Sequence, residues 1–147
     1  MQLKVNDLII RKYKFDDLDD VYEILSDEEI LKYEPYDKVT YDECAVEVYY
    51  RTIYNDYFAV ELNNKLIGSI FYGKSDVDLL EIGFIFNKKY WKKGYAYKSV
   101  SAFLDYKSDK EIYARCYSEN IASKRLLEKL GFHLVKEGYI NTYVLNR

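Results

Sequence analysis

The sequence predicts a mixed α/β (α+β) fold, a single domain over residues 1–147 with a central, mostly antiparallel sheet flanked by helices. Three observations carry this expectation. Short apolar and aromatic runs with strand character alternate along the chain with segments whose apolar residues recur at helical spacing. A chain of 147 residues is the size of one domain and can bury a substantial core. No repeat, low-complexity tract or linker interrupts it, and its single proline, Pro35, sits in a Tyr-Glu-Pro-Tyr turn.

Taken in order, Leu8–Tyr13 reads as a first strand. Asp16 is placed to cap a helix running through Leu25, and Asp27–Lys32 reads as a short second helix. Thr40 with Glu43 three residues on is a capping box for a third helix to about Tyr54. Phe58–Leu62 and Leu66–Tyr72 flank Asn63-Asn64-Lys65 and form a hairpin. Leu79–Phe86 is apolar enough to be a strand buried on both faces. Apolar residues at Ala96, Val100, Phe103 and Leu104 then mark a helix, followed by a strand at Glu111–Tyr117. Ser118 or Asn120 caps a helix with an apolar face of Ala122, Leu126, Leu127 and Leu130, ended by Gly131. A last pair, Phe132–Lys136 and Tyr139–Leu145, turns tightly near Glu137-Gly138.

The junction between the apolar strand and the helix after it is the most informative stretch. It reads Trp91-Lys92-Lys93-Gly94-Tyr95-Ala96. A helix N-terminus leaves four amides unpaired and carries partial positive charge, so it holds phosphate well. Gly94 allows close approach of the backbone, Ala96 keeps the first turn slim, and lysines at 88, 89, 92, 93 and 98 surround the point. These features fit a phosphorylated cofactor.

Two motifs then resemble one family. Trp91 to Ala96 resembles the Gln/Arg-x-x-Gly-x-Gly/Ala signature of the GNAT acyltransferases, with Trp91 in place of the usual Gln or Arg. Ser118 to Phe132 resembles the GNAT segment N-x-x-S-x-x-x-x-E-x-x-G-F, and the two occur in the family's order. The pattern is nearest to the branch that includes ribosomal-protein N-acetyltransferases. The resemblance implies a GNAT domain whose sheet splays open at the strand before Gly94, with acetyl-CoA as acyl donor. Carried over by position, the backbone of Phe84, Ile85 and Phe86 would hold the pantetheine arm and polarise the thioester carbonyl. The amides of Lys92, Lys93, Gly94, Tyr95, Ala96 and Tyr97 would hold the pyrophosphate, and the Asn120 side chain would bond the pantetheine.

Amine acetylation also needs a proton acceptor for the amine and a proton for the leaving thiolate. Glu81, the only carboxylate in the key strand, is the candidate base, with a strand-end carboxylate paired to a neighbour as the competing reading. Many relatives use a tyrosine seven residues after the helix asparagine as acid; this chain has Leu127 there, and Ser123 is the substitute candidate, with Tyr117 or Tyr139 as further options. His133 reads as structural, and Trp91 as a packing anchor. Only 15 residues follow Phe132, fewer than in many relatives, which implies a more open site or completion by a second subunit in a homodimer.

Charge is divided unevenly. Residues 1–56 hold 15 acidic and 7 basic residues and residues 57–147 hold 10 and 15, so −8 and +5 sum to the net −3. A basic second part suits a phosphate-rich ligand, and an acidic first part would draw cationic amines, unless its charges are simply solvated helix faces. Glu34 and Asp37 are the candidate carboxylates of the acceptor mouth. No apolar run reaches membrane-spanning length and no export signal precedes the first strand, so a cytoplasmic location without membrane contact is expected. Cys44 and Cys116 read as reduced thiols, and with one histidine no metal site is expected. Nucleic-acid binding is disfavoured by the acidic balance and the lack of any such motif. The resulting expectation is an N-acetyltransferase acting by direct transfer on a small amine, polyamine or peptide N-terminus, with an idle acyl-CoA-binding module as the alternative.

Overall fold

The computed structural model describes all residues, Met1–Arg147. Its strands are β1 (Gln2–Val5), β2 (Leu8–Lys12), β3 (Tyr57–Leu62), β4 (Lys65–Lys74), β5 (Leu80–Phe86), β6 (Glu111–Tyr117), β7 (His133–Lys136) and β8 (Ile140–Asn146). The helices are α1 (Leu18–Leu25), α2 (Tyr41–Ile53), α3 (Tyr95–Lys107) and α4 (Ile121–Lys129). All eight strands join one open sheet in the order β1-β2-β3-β4-β5-β6-β8-β7, antiparallel everywhere except between β5 and β6. No helix is long and apolar enough to cross a membrane.

Side chains alternate across a strand, so the sheet feeds two cores. One gathers Ile70, Ile82, Phe86, Val100, Phe103 and Leu127 beneath α3 and α4. The other gathers Val21, Ile24, Cys44, Val48, Ala59 and Leu66 beneath α1 and α2. Phe103 is the hub of the first: it is fully buried, with the Phe58 and Tyr72 rings 4.9 and 5.3 Å from its own.

The capping chemistry operates largely as the sequence implies. Thr40 and Glu43 form a reciprocal box, Thr40 Oγ1 accepting from the Glu43 amide at 3.2 Å and Glu43 from the Thr40 amide at 2.8 Å. Gly131 takes the left-handed conformation, φ +100°, that ends α4. At the first helix the details differ. A 3-10 turn at Phe15–Asp17 precedes α1, and the anchoring carboxylate is Asp17, not Asp16: it accepts from the Lys14 amide and pairs with Arg11 at 2.7 Å. The second helix shrinks to a 3-10 turn, Ile30–Tyr33, because Asp27 already accepts from the amides of Glu29 and Ile30 and sets a tight turn there. Strand β1, four residues long, is added at the sheet edge through a turn at Asn6.

The key strand β5 departs from expectation in its burial. Only Ile82 and Phe86 are buried. The reason lies in its pairing: β5 is bonded to β4 along its whole length but meets β6 only at Glu81↔Tyr113. Beyond that point the two strands diverge and the sheet opens. The open end is held by Gly68 on β4, which lies opposite Phe86 in register. A Cβ on Gly68 would stand 2.3 Å from Phe86 Cδ2. Gly68→Ala is therefore expected to destabilise the protein by about 1–3 kcal/mol through overpacking. A thermal melt indistinguishable from the parent's would show that the Phe86 ring is not fixed there.

Candidate active site

The opening between β5 and β6 is part of a cavity of about 460 Å³. Both faces of the sheet reach it. Glu34, Tyr36, Arg51, Tyr57 and Ser69 line it from the α1–α2 side, and Cys116, Asn120 and Ser123 from the β6–α4 side.

Register decides which backbone atoms of β5 are free. The Asn87 amide donates to the Ile67 carbonyl at 2.8 Å, in line with Gly68↔Phe86 and Ser69↔Ile85. Antiparallel ladders alternate between bonded and non-bonded pairs, so Ile85 turns its amide and carbonyl into the ladder with Ser69, while Phe84 and Phe86 turn theirs to the open edge. The expectation for Ile85 is corrected accordingly: its backbone is turned into the ladder with β4, not to the open edge. Trp91 is an anchor, its indole Nε1 donating to the Phe86 carbonyl at 2.9 Å and tying the following turn to the strand end.

That turn leads to the N-terminus of α3. Thr40 caps α2 and Asn120 caps α4, but α3 has no side-chain cap. Its first amides, at Tyr95, Ala96 and Tyr97, have no intrahelical partner. Lys92 and Gly94 both adopt left-handed conformations, φ +61° and +82°, which curl the chain beneath these amides. Of the five nearby lysines, Lys88 pairs with Asp27 at 2.8 Å and Lys89 with Glu23 at 3.0 Å. Lys92, Lys93 and Lys98 form no ion pair. An uncapped helix start ringed by free cations is an anion site of the kind a pyrophosphate needs.

Asn120 has a divided role. Its Oδ1 accepts from the Ser123 amide at 3.1 Å as the cap of α4, while its Nδ2 donates to no protein atom. Ser123 sits beside Cys116, whose thiol is pushed up by burial, with the Ser123 hydrogen bond acting against it.

The carboxylates divide clearly. Glu81 Oε1 accepts from Arg115 Nε at 2.9 Å, and Arg115 also holds Asp76 at 2.7 Å. Glu34 has no cationic partner. Its one hydrogen bond comes from the Tyr36 hydroxyl at 3.3 Å, and burial in the cleft raises its carboxyl to about 7. It lies near enough to Cys116 for their charges to interact across the opened sheet. Asp37 instead faces a separate shallow hollow with Glu28 and Lys38.

Several carboxylates of the first part are engaged in ion pairs. Asp17 is paired to Arg11, Asp27 to Lys88, Glu28 to Lys38 and Glu47 to Arg51, while Glu23 holds Lys65 and Lys89. Lys65, Asn87 and Lys89 together hold the Glu23 carboxyl down at about 2. Of the carboxylates of the first part, Glu34 alone lines the cavity. Tyr117 lines the cavity with its ring 5.2 Å from that of Tyr139, which is 73% exposed and points away. His133 is exposed on the edge strand β7. Arg51 and Arg115 carry no local motif, and only the tertiary fold brings them to the cavity.

An open sheet splayed beside an uncapped, lysine-ringed helix start defines a class of acyl-transfer domain, and comparison with known proteins agrees. Residues 7–133 match the family model described as "Acetyltransferase (GNAT) domain". The chain belongs to the GNAT acetyltransferase family. It is 35% identical over 147 residues to the uncharacterized N-acetyltransferase YnaD of Bacillus subtilis (strain 168), covering 95% of this chain and 85% of that protein. The crystal structure of a GNAT-family acetyltransferase from Bacillus anthracis superposes with a TM-score of 0.88 at 30% identity, covering 99% of this chain and 98% of that one. RimL, a ribosomal L7/L12 α-N-protein acetyltransferase solved with coenzyme A, shares the fold with a TM-score of 0.86 at 14% identity, covering 99% and 98%.

Proposed function

We propose that the protein transfers an acetyl group from acetyl-CoA to a primary amine directly, within a ternary complex. The observation that carries this reading is the free edge of β5, which opens on the cavity at Phe84, together with the uncapped α3 N-terminus, whose preceding turn Trp91 ties to the end of the same strand. The pyrophosphate lies on the turn and first amides from Lys92 through Lys93, Gly94, Tyr95 and Ala96 to Tyr97. The pantetheine runs along the open edge of Phe84 and Phe86, bonded by Asn120 Nδ2. An amide on that edge polarises the thioester carbonyl. The amine nitrogen attacks it, the C–N bond forms and the C–S bond breaks. One proton leaves the nitrogen for a carboxylate, and the thiolate takes another through the Ser123 hydroxyl, which regains its proton from water.

Two carboxylates compete for the first proton. Glu81 was the sequence candidate, but Arg115 occupies one of its oxygens and holds it as a paired anion, so it acts only through a water on the other. Glu34 is unpaired and titrates near neutral pH, where a general base works best, and we assign the role to it. Support for an acceptor that is a small amine, polyamine or peptide N-terminus comes from the family and from RimL, whose name specifies α-N-protein acetylation.

Release of free thiol from acetyl-CoA is expected in the presence of at least one class among simple amines, polyamines and N-terminal peptides. CoA binding without thiol release across that whole panel would favour an idle acyl-CoA-binding module instead.

A further inference from the structure

Arg11, Arg51 and Arg115 are each held by carboxylates, the first and last by two apiece. Arg11 bonds the carboxylates of both Asp17 and Glu61, and Arg115 those of both Glu81 and Asp76. Arg51 is the most buried of the three, with 8% of its side chain exposed, yet it holds only one carboxylate, Glu47, through Nε at 2.7 Å. Its Nη1 donates to Tyr13 Oη at 3.0 Å and to Ser69 Oγ at 3.3 Å. Its Nη2 donates to no protein atom, and the residue lines the cavity. The guanidinium is fixed in place, lying 4.2 Å from the centroid of the Tyr57 ring. Tyr13 Oη and Ser69 Oγ lie 2.6 Å apart, and Ser69 also lines the cavity.

A guanidinium this buried and this well fixed is pre-organised for a second anion, and its planar donors suit a carboxylate. On the basis of the acetyltransferase reading above, we propose that Arg51 and Ser69 form a carboxylate subsite, so that the acceptor is an amine that also carries a carboxylate. The ligand supplies the second acid that Arg11 and Arg115 find within the chain. Glu34 and Arg51 both line the cavity, so the two ends of such an acceptor have opposed partners within it: the amine faces Glu34 and the carboxylate faces Arg51. An acceptor of this kind also explains why a protein with an acidic first part leaves its one incompletely engaged buried cation in this place.

The test compares ω-amino acids from glycine to 6-aminohexanoate with their carboxamides and with diamines of equal length, by thiol release from acetyl-CoA. At the chain length that spans the cavity, the acid is expected to exceed its amide in kcat/KM by about tenfold to a hundredfold, the usual strength of a charged hydrogen bond. Arg51→Met should raise KM for the acid until acid and amide are equal, and Arg51→Lys should restore part of the difference. A rise in melting temperature with CoA in each variant shows that it is folded. Amides or diamines matching or exceeding the acids with the parent protein would overturn the subsite whatever the variants do. If no amine releases thiol, the acetyltransferase reading fails. The subsite is then judged by calorimetric titration of the CoA-loaded parent with glutarate and the same amino acids: binding lost in Arg51→Met upholds it, and no binding by the parent overturns it.

Discussion

Gly94→Glu is expected to abolish the rise in melting temperature that CoA gives the parent protein. At a hundred times its dissociation constant a ligand specific to the folded state stabilises it by about 2.7 kcal/mol. For a chain near 150 residues that is a rise of about 5–10 °C. The substitution puts a carboxylate where the backbone must meet phosphate. It does so without a clash, since a Cβ on Gly94 meets nothing nearer than Lys98 Cε at 4.0 Å. The cost to folding is the left-handed conformation, φ +82°, on the order of 1–2 kcal/mol for a residue with a side chain. A cooperative melt a few degrees lower, insensitive to CoA, is the outcome that places the anion site at α3. A variant that keeps the full CoA shift would move the site elsewhere. No shift in the parent at saturating CoA would remove the enzyme and the acyl-CoA-binding readings together.

The parts of the fold legible in the sequence are those set by neighbours along the chain. The Thr40–Glu43 box, the left-handed Gly131 and the turn between β3 and β4 each depend on residues a few positions apart, and each lies where the pattern puts it. The sequence pattern places the first helix start one residue early because Asp16 and Asp17 are equivalent as local caps. What separates them is Arg11, delivered to Asp17 from strand β2. The key strand was read as buried on both faces because its composition is apolar throughout. Its exposure follows from the single β5–β6 contact, a property of pairing that composition does not record.

The site divides in the same way. The uncapped start of α3 at Gly94 and the Asn120 cap of α4 are legible because both are local devices of a helix N-terminus. Ile85 was grouped with Phe84 and Phe86 since sequence carries no register, and only the Asn87–Ile67 hydrogen bond fixes which amides face outward. Glu81 stood out as the one carboxylate in the key strand. Its partner Arg115 is 34 residues away, and pairing of that kind has no sequence signal. Glu34 is visible as a mouth carboxylate, but the base role proposed for it depends on its being half-buried without a cation, which only the assembled cavity determines.

Glu34→Gln should therefore lower kcat by about a hundredfold to ten-thousandfold, the usual contribution of a positioned base. With Glu34 titrating near 7, log kcat/KM of the parent should lose its deprotonated base as pH falls through that value, beyond the effect of the acceptor's own ionisation. The variant, compared at each pH with the same acceptor, should lack that extra limb. Tyr36, Tyr57, Arg51 and Cys116 also face this part of the cavity, but the tyrosines and the thiol are raised and Arg51 stays charged, so none of them titrates there. Stability should move the opposite way. Burial raises the folded carboxyl from its ordinary 4.5 to about 7, so the folded state binds this proton more tightly than the unfolded chain. The stability tied to the proton is complete below 4.5 and is lost as pH rises through 7. Glutamine mimics the protonated form. The variant should match the parent at acid pH and melt higher at pH 8, by at most about 3 kcal/mol. Ser123→Ala should reduce turnover without this pH-dependent gain. Glu81→Gln should leave the limb intact, because Arg115 keeps Asp76 as a partner. Loss of the limb in Glu81→Gln, with its retention in Glu34→Gln, would return the base to the key strand.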